Sequence, residues 1–291
     1  MMRRVWKRII AGQGAEEGYS LLDPVPLRRY LAEQLLAEDD GGLPHIAEAV
    51  GQGALAMLCI TATSYAIGQS VSWIQGRDIQ RWERPDRIAV RADLNLEHIM
   101  ASSALRLLFP AVRIGDTWYG DGSIRYTAPL APSLHLGATD ILVISTRYAR
   151  SVEEASQSAI RSYPPAAQVI GILLNAIFLD MVDHDTQIVR SMSRFVQQLP
   201  SDHRSGIRPV NCLVLRPSVD LGRLASGYEG QARGMIWILT RGLGSSETES
   251  SDLASVLLFE AGYIGRLIDL GWEDAPRQRA TLEAFQRGGA V

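Results

Sequence analysis

Between Glu48 and Arg77 the chain runs for 28 residues, Ala49 to Gly76, without a charged side chain. A stretch of that length belongs in a protein interior, because surfaces are where charged side chains collect. Gly51, Gln52, Gly53, Thr61, Thr63, Ser64, Gln69, Ser70 and Ser72 dilute it too heavily for a membrane span. Buried strands with their connecting loops fit instead. Ala54 to Tyr65 is apolar, carries β-branched residues and lacks breakers, which predicts a strand. Gln69 to Gln75 predicts a second strand and Ile88 to Arg91 a weaker third.

Apolar residues at helical spacing predict helices over Leu27 to Ala37, after the turn from Ser20 to Pro26, and over Leu96 to Leu108. Leu43 to Ala49 is a short helix or link. The stretch from Ala101 to Ile144 then passes through two short aromatic and β-branched runs and ends on an apolar strand, Ile141 to Ile144. Further helices are expected over Val152 to Arg161, Ala166 to Asp180, Thr186 to Leu199, Leu221 to Thr240 and Leu253 to Leu270, with breaks at Pro164-Pro165 and Pro200. Val210 to Arg216 is one more core strand. A strand that returns after helices argues for one continuous α/β globule rather than two independent domains. Gly12-Gln13-Gly14 with Gly18 has the wrong spacing for a dinucleotide loop and no strand before it, and Gly242 to Ser246 is a flexible link.

A net charge of −3 and a pI near 6.0 supply no global attraction to nucleic acid. Cys59 and Cys212 each sit inside an apolar run and are expected to be reduced core thiols, which favours a cytoplasmic setting. The first eight residues hold four basic side chains but no apolar core follows them, so no signal peptide is expected in this stretch.

The chemistry centres on Asp121, in Gly120-Asp121-Gly122-Ser123. Asp-Gly is first of all a turn signal, since glycine takes positive φ and the carboxylate bonds its own backbone. The words around it carry more. ASSALRLLFPAVRIG, WYGDGS and TAPLAPSLHLGATDILVIS together resemble the segment of patatin-like acyl hydrolases that bears the catalytic aspartate. LLD with a following PL near Leu21, then PAAQVIGILLNAIFLDMVDHD, NCLVLRPSVDLGRLA and LLFEAGYIGRLIDLGWEDA, extend the likeness over nearly the whole chain, in the style of bacterial members. The resemblance implies an α/β three-layer sandwich, a Ser-Asp dyad with Asp121 as general base, a lipid ester substrate and no metal or organic cofactor.

The same family carries its serine at a GxSxG elbow upstream of this acid, with a glycine-rich oxyanion loop earlier still. No GxSxG occurs anywhere in the 291 residues; the nearest run is Gly68-Gln69-Ser70-Val71-Ser72. The resemblance therefore implies an N-terminally incomplete sandwich: residues 1–148 as the C-terminal part of the catalytic domain, and 149–291 as a mainly helical extension with a strand near 210–216, packed on the same globule. The cause would be a mis-set start, a broken reading frame or a nucleophile on another chain. Such a chain is expected to expose an unpaired sheet edge and to be inactive alone. Arg106 and Ser123 depart from the family pattern, where proline and a glycine or alanine are usual.

Other constellations are weaker. Asp180, Asp183, His184 and Asp185 could gather metal ligands, but a solvated helix end is the plainer reading. A Ser-His-Asp triad lacks its elbow. Trp118, Tyr119 and Tyr126 flank Asp121 and are expected mostly to pack at cross-strand positions. The leading expectation is a phospholipase A-type lipid acyl hydrolase of lipid degradation, cytoplasmic, with peripheral membrane contact as an option and no nucleic-acid partner. The rival is a non-catalytic lipid-binding or interaction protein that kept the fold.

Overall fold

The computed structural model describes residues 20, 22–77, 79, 81–105, 108–125, 128–151, 153–154, 169, 180–204, 206–228, 255 and 258–288. The chain divides into two compact units, Met1–Thr127 and Ala128–Val291. Both mix helices and strands, so the class is α/β.

In the first unit, helix α1 (Val25–Gln34) starts earlier than its leucine spacing suggests. Asp23 Oδ1 accepts the Val25 N–H at 3.0 Å, and proline in the first turn presets φ. It ends three residues before Ala37, where Leu36 takes φ +48°. Helix α2 (Pro44–Gln52) closes on Gly53 at φ +76°.

The uncharged run then supplies the centre of a six-stranded sheet. Strand β1 (Met57–Ser64) pairs antiparallel with β2 (Ser70–Gly76), Met57 opposite Gly76 and Thr63 opposite Ser70. Beyond β2 lie β4 (Arg87–Arg91), parallel to it, and the two-residue β3 (Glu83–Arg84) at the edge. On the other side of β1 run β6 (Thr117–Asp121) and the edge strand β5 (Val112–Ile114), joined through Gly115 at φ +60°. The order is β3-β4-β2-β1-β6-β5.

Side chains alternate across β1. Leu58, Ile60 and Ala62 face a core with Val71, Trp73, Leu94 and Ala101. Thr61 faces the other way and its hydroxyl lies 3.0 Å from that of Ser72. Helix α3 (Leu96–Ser102) brings Ala101 to this core, and Trp73 stacks edge-on against both His98, at 4.7 Å, and Tyr119, at 4.8 Å.

Helix α3 stops at Ser102, well short of Leu108. Ser103 Oγ folds back onto the carbonyls of Ile99 and Met100, and the Ala104 carbonyl accepts the Asp121 N–H at 3.0 Å. The Leu108 and Phe109 N–H groups donate to the Leu105 carbonyl.

In the second unit a short helix α4 (Ala131–His135) leads into β7 (Asp140–Ile144), which pairs in parallel with β8 (Asn211–Leu215). Helix α5 (Asp180–Gln198) begins six residues before Thr186 and packs on β8. Leu130, Ile141, Val189 and Cys212 form the core there. Arg190 donates from Nε and Nη2 to the Cys212 carbonyl at 3.1 and 2.9 Å. Helix α6 (Leu221–Ser226) is capped by Asp220, which accepts the Gly222 and Arg223 N–H groups. Helix α7 (Ala261–Arg277) runs further than Leu270, most of 253–257 lying outside the described residues, and α8 (Arg279–Gln286) follows it without any sequence expectation. Tyr263 joins Ala225 and Leu258 in a second core, where burial pushes its phenol up to about 12.

The helices expected over 152–161 and 166–180, the part of 221–240 beyond 228, the link at 242–246 and the basic start all lie outside the described residues, apart from scattered positions and Asp180 itself. Among the described residues no helix is long and apolar enough to cross a membrane.

Candidate functional site

Asp121 is the last residue of β6, opposite Ala62 of β1. Its backbone is held from two sides: its N–H donates to Ala104 at the end of the α3 segment, and its carbonyl accepts the Thr63 hydroxyl at 2.8 Å. The strand therefore hands the chain over at a fixed point.

The neighbouring glycines serve packing. Neither Gly120 nor Gly122 takes positive φ. A Cβ on Gly122 would overlap the Thr61 carbonyl oxygen and lie 2.8 Å from its carbon, and one on Gly120 would run into the Tyr65 ring. Gly122 opens a one-turn 3-10 helix, Gly122–Arg125, which replaces the positive-φ turn that Asp-Gly suggests.

The half-buried carboxylate caps that turn. Its Oδ1 accepts the Ser123 N–H at 2.8 Å and also the Ser123 hydroxyl. Its Oδ2 accepts no hydrogen bond among the described residues. Ser123 thus fixes one oxygen and leaves the other without a hydrogen bond among the described residues.

An open cleft of about 510 Å³ adjoins the carboxylate, lined by Cys59, Ile60 and Thr61 of β1, by Ile99, Ser102 and Ser103, and by Asp121, Gly122 and Ser123. Burial pushes the Cys59 thiol up, against hydrogen bonds from Thr61 and Ser72 that lower it, so it stays protonated and is a poor nucleophile. Ser103 donates its hydroxyl to backbone carbonyls. The arrangement can accept a proton at Oδ2 beside a partly apolar cleft. Among the lining residues no second group activates a hydroxyl for attack.

Ser70, of the closest GxSxG-like run, is buried at the start of β2 and does not line the cleft. Tyr119 packs on Trp73, Trp118 stands exposed, and Tyr126 lies outside the described residues, as does Arg106. His98 is buried as the third residue of α3, in a capping box with Asn95 whose Oδ1 lies 2.6 Å from its Nδ1. Burial lowers its pKa.

Asp183 and Asp185, near the start of α5, are not solvated. Asp185 is buried and accepts the Leu130 N–H at 2.8 Å, and Asp183 pairs with Arg147 at 3.2 Å and with Arg216. His184 between them is exposed. Among the described residues no group of three or more His, Cys, Asp or Glu side chains is placed to hold a metal.

Cys59, Thr61, Ile60, Ile99 and the two serines of α3's end were not legible as one lining set. The signal that could have joined them is the period-two alternation of β1, which puts Cys59 and Thr61 on one side of the strand next to Asp121's own partner. No protein-family model matches the chain, and no curated protein sequence matches it.

Proposed function

We propose that this chain carries the acid half of a serine–aspartate ester hydrolase that acts on lipid acyl esters, built on a patatin-like three-layer sandwich whose nucleophile comes from outside these 291 residues. The observation that carries the reading is Asp121 Oδ2, held at the end of β6 against a cleft and without a hydrogen bond among the described residues, while Ser123 fixes Oδ1. On this reading Asp121 is the general base. The carboxylate accepts the proton of the incoming serine hydroxyl, the serine oxygen attacks the ester carbonyl, and the leaving alcohol takes the proton back. Water then cleaves the acyl-serine and releases the fatty acid. A cytoplasmic protein that touches lipid surfaces peripherally belongs to the same proposal.

A second reading has its own support. Asp121 caps the 3-10 turn through both donors of Ser123, which is a complete structural role. On that reading the chain is a non-catalytic lipid-binding or interaction protein.

One experiment separates them. The chain alone is expected to leave a short-chain nitrophenyl ester unhydrolysed. Fused behind a segment that carries a glycine-rich loop and GxSxG, it is expected to gain turnover that Asp121→Asn reduces by about a thousandfold or more. Turnover by the chain alone that vanishes in Asp121→Ala would overturn the need for an outside nucleophile. A fusion that is folded but inactive, or active without Asp121, would favour the non-catalytic reading.

A further inference from the structure

Two helices of the second unit carry apolar residues on two sides. Helix α5 buries Val189 and Val196, yet Ile188, Met192 and Phe195, at i, i+4 and i+7, form another stripe open to solvent. Helix α7 buries Tyr263 and Leu270, yet Ile264, Ile268 and Trp272, at i, i+4 and i+8, do the same, and Trp272 is 75% exposed. Single exposed apolar side chains are ordinary; aligned triplets on two helices call for an explanation.

The two stripes complement each other. At 1.5 Å per residue they run for roughly 10 and 12 Å. Beside the α5 stripe lies Ser191, between Ile188 and Phe195, and exposed Arg194 donates to its hydroxyl at 3.4 Å; no acid occurs from Thr186 to Gln198. The α7 stripe is bordered by exposed Asp269, while its Arg266 and Glu273 neutralise one another at 2.7 Å. Exposed Gly271 and Ala275 leave hollows between the large α7 side chains into which the α5 residues can fit. A lipid surface matches less well, because interfacial helices border their apolar faces with basic residues and α7 has an acid there.

We propose that α5 of one molecule packs on α7 of a second copy of this chain, and reciprocally, in a two-fold dimer. Because this surface lies outside the Asp121 cleft, it stands or falls independently of the catalytic reading.

Sedimentation equilibrium of the full chain over a wide concentration series tests it, with circular dichroism to confirm that each surface variant is folded. A reversible monomer–dimer equilibrium is expected. Trp272→Ala should raise the dimer dissociation constant about thirtyfold, as for a central aromatic anchor. Arg194→Asp and Asp269→Arg should each raise it about fivefold, and the two together should return it close to the parent value. A monomer at every concentration, a dimer indifferent to Trp272→Ala, or a double variant as weak as the two singles combined would overturn the proposal. So would a monomeric chain that co-sediments with phosphatidylcholine–phosphatidylglycerol vesicles and loses that binding in Trp272→Ala.

Discussion

Replacing Gly122 by alanine puts one methyl group where β6 meets β1. Its carbon would overlap the Thr61 carbonyl oxygen and sit 2.8 Å from the carbonyl carbon, and both belong to the backbone of the central strand. If the strands stay in place, overpacking of this kind costs about 1–3 kcal/mol. If β6 lifts away, the bonds from Thr63 Oγ1 to Asp121 and from Asp121 to Ala104 are lost, each worth about 1 kcal/mol. Either route destabilises the first unit by about 2 kcal/mol, which lowers its melting temperature by roughly 6–10 °C. Gly51→Ala is the matched control: it lies in α2, nothing stands within 4 Å of the added Cβ, and its φ is not positive. There the same change should stabilise by about 0.5 kcal/mol, through better helix propensity and a less flexible unfolded chain. Differential scanning calorimetry of the full chain reads both, each transition being followed separately because two units need not melt together. A Gly122→Ala protein that melts within about 2 °C of the parent would refute the claim that backbone approach requires glycine here.

Two further outcomes follow from buried polar groups. Burial lowers the His98 pKa, so between its folded value and about 6.5 the unfolded chain binds the extra proton; stability is full above about pH 6.5 and is lost as pH falls below it. His98→Gln keeps a capping-box partner for Asn95 and should flatten that decline in a melting-temperature series, whereas an unchanged slope would assign it to other groups. Asp185→Ala strands the Leu130 N–H and should cost about 2 kcal/mol in a urea titration, with Asp185→Asn milder because an acceptor remains; equal effects would show that the hydrogen bond is not what the residue supplies.

The linear chain determined a good part of this protein by itself. The uncharged run became β1 and β2 because side chains that need no water can fill the middle of a sheet, and the apolar run near Val210 became β8 for the same reason. Asp121 stood out through the residues around it, and the structure puts it at a strand end beside a cleft.

Other features were settled only in three dimensions. Leu96 to Leu108 has helical spacing throughout, yet the helix ends at Ser102: the Ala104 N–H bonds Ala101 rather than Met100, and the Ala104 carbonyl is taken by Asp121, a partner 17 residues along the chain. Asp183 and Asp185 are written like a solvated helix end, but arginines and a backbone N–H distant in sequence reach them. Gly122 looks like a turn residue and is required instead by the closeness of Thr61. Burial and local periodicity are properties of a short stretch and survive in the sequence. Which backbone group a distant residue will occupy depends on how strands and helices come together, and only the folded chain decides it.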